Sequence, residues 1–232
     1  MNWFSSFCPQ PLRTDIGERI RAAFGALIGI GLTGLVSNYW GSGGVVALLL
    51  VGPIGASAVL LFAVPASPLA QPWSIIGGNT LAALIGVAVL KFMLPPLVAA
   101  SLAVGLTLAA MSFFRCVHPP SGAIALTAIL GGQTVLDAGF SFVFVPVLLN
   151  SFILMLVALV YNNATGHSYP HKAHPARHSH SLEGPSVLTD ADFDEVLADY
   201  GDSLDISRAD IKALYFELRG RADARRRGFQ SR

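Results

Sequence analysis

Residues 113–126 read FFRCVHPPSGAIAL and break a long apolar region with an arginine, a histidine and two adjacent prolines. The residue before a proline is pushed towards extended backbone, so His118 and Pro119 should end any preceding helix. Pro120 suits the first position of a new helix, where its missing N–H is not needed. The stretch therefore predicts that one helix ends and a shorter helix begins inside the apolar region.

The surrounding sequence is too apolar for a soluble core. The chain has 232 residues, of which 53% are hydrophobic and 12% charged. Between residues 22 and 165 the only ionised side chains are Lys91, Arg115 and Asp137, and several apolar segments approach the about 20 residues that cross a bilayer. The fold class predicted is an all-α, polytopic membrane bundle. Its apolar segments lie at about 20–36, 45–64, 74–92, 97–114, 121–130 and 140–161.

An earlier segment repeats the broken pattern. GPIGASAVLLF at 52–62 aligns with PPSGAIALTAI at 119–129, which places Pro53 on Pro120 and Gly55 on Gly122. Broken helices at matching positions of two halves are a sequence indication of a transport site. Each short helix would have about 12 residues and a length of about 18 Å. If both cross the membrane, there are six spans and inverted halves; if both are re-entrant, there are four spans and parallel halves.

The candidate site gathers the starts of these two helices. Backbone N–H groups at a helix start, together with the helix dipole, favour an anion. Arg115 adds a permanent positive charge, and His118 adds a charge that depends on pH. An asparagine follows each broken segment. The predicted substrate-binding residues are Arg115, His118, Pro119, Pro120, Ser121, Gly122, Ala123, Pro53, Gly55, Ala56, Ser57, Asn79 and Asn150.

The rest of the chain divides by composition. Residues 1–15 form an N-terminal cytoplasmic or interfacial segment, 16–165 the membrane domain, 166–186 a His-rich linker and 187–232 a charged helical tail. Basic residues flank the first and last spans, so both termini are predicted to be cytoplasmic in a plasma (inner) membrane. The histidines lack interleaved acids or cysteines, so a flexible linker is favoured and no metal site is predicted, while metal binding by this linker stays an open alternative. The cysteines fit no redox motif, and the row Gly25-x-x-x-Gly29 predicts close helix packing.

These motifs resemble the HPP family of integral membrane proteins, named for the His-Pro-Pro at 118–120. The resemblance covers about residues 14–165, through VGPIGASAVLLF (51–62), SIIGGNTLAALIGV (74–87) and VPVLLNSFILMLVALVYNN (145–163). It implies four transmembrane helices and, from photosynthetic members, an association with nitrite transport. It also implies a bacterial relative without the paired CBS domains that many members carry, although the acidic tail resembles the connector that precedes them.

The function predicted is a transporter or channel for a small monovalent anion, with nitrite implied by the resemblance. The alternative is a membrane-embedded regulatory or scaffold protein that acts through its cytoplasmic tail. No nucleophile–base pair or ligand cluster stands in the spans, so neither an enzyme nor a cofactor is predicted. The partners expected are the anion, the lipid bilayer and further copies of the chain, without nucleic acid. The sequence does not distinguish a channel from a carrier.

Overall fold

The computed structural model describes residues 16–40 and 52–171, with the single positions 211, 215 and 219 beyond them. The two continuous ranges form seven α-helices, a 3-10 turn at Pro68–Ala70, and a π-helical segment at Val143–Leu148 that leads directly into the last helix. Prolines stand at the first position of three of these helices, as their fixed φ allows. The helices are α1 Ile16–Trp40, α2 Gly52–Ala63, α3 Pro72–Leu90, α4 Pro96–Phe113, α5 Pro120–Leu130, α6 Gln133–Ala138 and α7 Leu149–Ala164.

The predicted helical membrane protein is confirmed. In the described ranges, four helical stretches are long and apolar enough to cross a bilayer: α1, α3, α4 and Val143–Ala164. The shorter apolar helices α2 and α5 begin where the prolines predict, at Gly52 and Pro120. They have 12 and 11 residues, which corresponds to about 18 and 16 Å.

The six apolar stretches alternate in direction through the bundle. The end of α2 meets the start of α1, because Arg21 donates to the carbonyl oxygen of Phe62 over 2.8 Å. Trp73 at the start of α3 donates to the carbonyl oxygen of Phe114 at the end of α4. Helix α5 runs parallel to α3, because Gly78 lies against the start of α5 and Gly86 against its later part. Helix α7 runs antiparallel to α1, since Arg21 also reaches Asn162. This order of directions is that of the inverted arrangement of halves.

The close packing predicted for Gly25 and Gly29 is made within the chain. A Cβ at either glycine would lie 2.5–2.7 Å from the ring of Phe62, so the glycines form a groove for this side chain. The Phe62 ring is fully buried and meets Tyr161 edge-on, with ring centroids 5.6 Å apart. The glycine row therefore fixes α2 and α7 against α1.

Arg21 holds three helices together at this end of the bundle. Its guanidinium donates to Glu18 within α1, to the Asn162 side chain at 3.0 Å and to the Phe62 carbonyl oxygen. The Asn162 amide donates in turn to the carbonyl oxygen of Leu61 at 3.0 Å. The last carbonyl groups of α2, which have no partner within the helix, are thereby satisfied.

Residues 166–171, which begin the predicted His-rich linker, contact the membrane domain. Tyr169 is 2% exposed, and its hydroxyl donates to the carbonyl oxygen of Ala70 over 2.8 Å. Desolvation raises the pKa of the Tyr169 phenol, which keeps the hydroxyl protonated as a donor. The backbone N–H of His171 donates to the side chain of Gln71. Residues 166–171 thus pack on the membrane domain because a large aromatic side chain is buried there.

Several predictions fall partly or wholly outside the described residues. Residues 1–15, most of the His-rich linker and most of the predicted helical tail lie outside the described residues. Ile211, Tyr215 and Arg219 are helical, at positions one helical turn apart. Asp137 lies in α6, where its carboxylate accepts a hydrogen bond from Gln133.

Candidate functional site

His118 is fully buried, and both of its ring nitrogens are engaged. Nδ1 lies 2.8 Å from the carbonyl oxygen of Leu69 in the 3-10 turn, and Nε2 lies 2.8 Å from the hydroxyl oxygen of Ser57 in α2. A carbonyl oxygen only accepts hydrogen bonds, so Nδ1 carries the hydrogen and donates it. His118 therefore connects the segment before α5 to the first half of the chain at two points.

The chain before α5 turns back into the bundle to bring His118 there. Helix α4 ends at Phe113, and Arg115 adopts the left-handed region with φ of 55°. The N–H of Cys116 then bonds to the carbonyl oxygen of Met111, and Cys116 is buried with its thiol free. The reversal carries the backbone inward, so that Cys116, His118 and Pro120 are buried where α5 begins.

A second chain of hydrogen bonds crosses the core from α5 to α7. The Ser121 hydroxyl donates to the Asn79 side-chain oxygen at 2.8 Å, and the Asn79 amide donates to the Ser151 hydroxyl at 2.9 Å. Ser151 donates onward to the carbonyl oxygen of Val147 at 2.7 Å. All three side chains are 0% exposed. Because a buried polar group without a partner is costly, this chain fixes the positions of three helices.

Gly78 is what allows the His-Pro-Pro segment to lie against α3. A Cβ there would be 2.8 Å from the carbonyl oxygen of Cys116, 2.9 Å from the Ser121 hydroxyl oxygen and 3.0 Å from the Cβ of His118. The hydrogen-bonded chains through His118 and through Ser121 thus meet at Gly78. We call Ser57, Asn79, His118, Ser121 and Ser151 the polar core.

Asn150 is also buried but takes a different partner. Its side-chain oxygen is hydrogen-bonded to the hydroxyl of Ser37, near the end of α1. It stands just after the π-helical segment, where Pro146 interrupts the regular helix and Val145 has extended dihedral angles. The two asparagines predicted from the repeat therefore both bind serines of another helix, at separate places.

Several predicted site residues face away from the polar core. Arg115, Pro119, Ala123 and Ala56 are exposed, whereas Gly55 and Gly122 are half-buried. The polar core itself includes His118, Ser57, Ser121 and Asn79 from the predicted set, and Pro53 and Pro120 are buried beside it. Arg115 is exposed because it occupies the outward side of the turn that follows α4.

The backbone N–H groups at the start of α5, which were expected to be available to an anion, are already hydrogen-bonded. The N–H of Ser121 donates to the carbonyl oxygen of His118 at 2.9 Å, and the N–H of Gly122 donates to that of Pro119 at 3.2 Å. Pro119 adopts helical dihedral angles, so the first turn begins earlier than Pro120 and supplies these acceptors. Polar side chains, rather than these two backbone groups, are the donors that the site offers.

Four residues of the arrangement were not predicted: Ser37, Leu69, Gly78 and Ser151. Two have a visible signal, because Gly-Gly-Asn at 77–79 and Asn-Ser at 150–151 place small and polar residues inside apolar helices. Leu69 acts through its backbone carbonyl group, which carries no side-chain signal.

Comparison with known proteins identifies the family to which this chain belongs. The model of the transmembrane region of HPP proteins matches residues 11–170, so the chain belongs to the HPP family. A transmembrane protein of Dictyostelium discoideum is 44% identical over 127 residues, covering 53% of this chain and 44% of its own length. Another from the same organism is 36% identical over 166 residues, covering 69% of this chain and 53% of its own.

The chain thus spans about half the length of the curated relatives it matches. No solved structure matches it. Family and relatives together identify the chain as a membrane protein.

Proposed function

We propose that this HPP protein transports a small monovalent anion across a plasma (inner) membrane, and that the anion binds at the polar core. The observation that carries the proposal is the buried set of hydroxyl, amide and imidazole groups between α2, α3, α5 and α7. Polar groups inside an apolar bundle are costly and commonly mark the path of a substrate. Nitrite is the first anion to test, because the family resemblance implies it.

The paired short helices support the same proposal. Ser57 lies one turn inside α2, and His118 lies two residues before α5, so the first turns of both helices lie side by side. Discontinuous helices that meet inside a membrane protein are a common way to build a substrate site. The donors available to an anion are the hydroxyl group of Ser121 and the amide of Asn79, with the Ser57 hydroxyl beside them as the partner of His118.

In the structure Ser121 donates to the Asn79 side-chain oxygen and the Asn79 amide donates to Ser151, so an anion has to compete with these hydrogen bonds. It must replace hydrogen bonds between helices with hydrogen bonds to itself, for example by accepting from Ser121 in place of Asn79. A small anion with several lone pairs can accept from two or three donors at once. The proposed orientation has both termini in the cytoplasm, and assembly into homo-oligomers belongs to the same proposal.

Flux into liposomes tests the proposal directly. Purified protein is reconstituted, and the uptake of nitrite, nitrate, formate and chloride is compared with that of protein-free liposomes at the same pH. Subtraction is needed because nitrous and formic acids cross bare lipid when protonated. We expect protein-dependent uptake of at least one of the four anions, with nitrite among them.

A matched pair of variants assigns the flux to the polar core. Asn79→Leu keeps the side-chain size but removes both the donor and the acceptor between Ser121 and Ser151, and should reduce uptake at least tenfold. Thr33→Val is the control, because the buried Thr33 hydroxyl bonds only to the carbonyl oxygen of Gly29 in its own helix among the contacts described. Equal uptake with and without protein for all four anions would overturn the proposal.

A further inference from the structure

Resting on the proposed anion transport, we infer that the anion binds together with one proton, that His118 holds this proton, and that Ser57 reverses its hydrogen bond to admit it. The transported unit is then electrically neutral. The inference names a coupling ion and a positioning residue, neither of which the anion proposal by itself requires.

The first support is the position of the Ser57 hydroxyl between two acceptors. Its oxygen lies 2.8 Å from Nε2 of His118 and 3.1 Å from the carbonyl oxygen of Pro53. With neutral imidazole, Nε2 is an acceptor and the hydroxyl donates to it. With imidazolium, Nε2–H donates to the Ser57 oxygen, and the hydroxyl turns to donate to Pro53.

The second support is that Nδ1 does not change in this exchange. It donates to the Leu69 carbonyl oxygen in both protonation states. His118 therefore gains a proton with every polar hydrogen still hydrogen-bonded, and the only atom that has to move is the Ser57 hydroxyl hydrogen. A buried imidazole without such a reversible neighbour would leave one donor unsatisfied after protonation, at substantial cost.

The third support is the lack of a counter-charge within the described ranges. The acidic residues described there are Glu18, which binds Arg21, and Asp137, which lies in α6. Among the groups around His118, the segment before α5 carries the Cys116 thiol and the exposed Arg115. The 3-10 turn accepts from the Tyr169 phenol, and the described parts of α2, α3 and α5 hold no ionisable side chain.

Protonation of His118 would therefore place an unbalanced positive charge in an apolar bundle. An isolated buried charge is far costlier than a paired one, so a monovalent anion beside the imidazolium is what makes the charged state accessible. By the same reasoning, the anion binds weakly when His118 is neutral. One proton and one anion enter from the same solution and leave together, so no net charge crosses the membrane.

The test measures charge movement and proton movement with the anion flux. Liposomes containing the full chain and a pH-sensitive dye are clamped with potassium and valinomycin at zero and at negative inside potential, and a nitrite gradient is applied. We expect the protein-dependent flux to differ by less than twofold between the two potentials. We expect about one proton taken up per anion after subtraction of protein-free liposomes.

Two variants assign the coupling to residues. Ser57→Ala removes the hydroxyl oxygen that accepts the hydrogen bond from protonated Nε2 of His118, and should lower proton-coupled flux about tenfold while anion flux per proton stays near one. Because the anion binds together with a proton, wild-type flux should increase on acidification. His118→Gln retains a polar side chain but takes up no proton, and should abolish this increase. Thr33→Val serves as the control and should retain the wild-type pH profile.

The outcomes separate this inference from the proposed function. Anion flux that responds to voltage and carries no proton would overturn the inference and leave anion transport standing. Proton-coupled flux with a wild-type rate and pH profile in folded Ser57→Ala would overturn the role of Ser57. Absence of anion flux in the wild-type protein would overturn both. The voltage measurement uses the wild-type chain, so it distinguishes proton-coupled flux from voltage-dependent anion flux even if a variant fails to fold.

Discussion

Substitution of Gly78 by alanine tests whether the close contact between α3 and the His-Pro-Pro segment is required. The added Cβ would lie 2.8 Å from the carbonyl oxygen of Cys116, whereas ordinary contacts of a Cβ begin near 3.4 Å. The segment must therefore withdraw by about 0.6 Å, the difference between these two distances. The opposing atom is a backbone oxygen, so no side-chain rotation relieves the contact.

The expected cost follows from the size of that displacement. A methyl group forced into a packed core costs about 1–3 kcal/mol, and replacement of glycine within a helix returns about 0.5–1 kcal/mol. We expect a net destabilisation of about 0.5–2 kcal/mol. The hydrogen bond of 2.8 Å between His118 and Ser57 would be stretched towards the limit of hydrogen bonding. Loss of function should then exceed loss of stability.

Gly105→Ala supplies the matched control. Gly105 lies in α4, where nothing stands within 4 Å of an added Cβ, so this variant should be as stable as the wild type or slightly more stable. Both variants are measured by thermal unfolding in one detergent and by nitrite uptake in liposomes. If Gly78→Ala unfolds at the wild-type temperature and transports at the wild-type rate, the segment is not held as tightly as the structure shows.

Two further predictions concern the end of the bundle that carries Arg21. Arg21→Gln removes the bonds from the guanidinium to the Phe62 carbonyl oxygen and to Asn162, and should lower the free energy of unfolding by about 2–4 kcal/mol; Arg19→Gln, at an exposed position, should cost less than about 1 kcal/mol in the same thermal assay. Tyr169→Phe leaves the buried carbonyl oxygen of Ala70 without its hydroxyl donor and should cost about 1–2 kcal/mol; an unchanged unfolding temperature would show that residues 166–171 contribute no stability.

The helices were predictable because two simple signals determine them. Apolar length indicates the four long stretches, and the positions of Pro53 and Pro120 indicate where α2 and α5 begin. The membrane domain therefore follows from composition and proline chemistry alone. The burial of Tyr169 did not follow, because one aromatic residue between histidines and prolines has no periodic pattern to mark its buried side.

The site was predictable in part. His118, Ser57, Ser121 and Asn79 follow from polar residue types near the broken helices, and all four lie in the polar core. Arg115 lies outside the polar core, because its direction depends on the left-handed turn after α4, and an arginine in the sequence does not indicate such a turn. The partners of the backbone N–H groups depend on the dihedral angles of Pro119, which propensity rules for a residue before proline place elsewhere.

The asparagines show how the two halves depend on each other. Asn79 belongs to the first half and binds Ser121 and Ser151 of the second, whereas Asn150 belongs to the second half and binds Ser37 of the first. In an apolar solvent such bonds hold helices together, because the hydrophobic effect does not drive one apolar helix onto another. Any solute that replaces the bonds of Asn79 therefore loosens the contact between the halves, while the bond of Asn150 still joins them. If the proposed anion binds at the polar core, its binding is therefore coupled through Asn79 to the contact between the two halves.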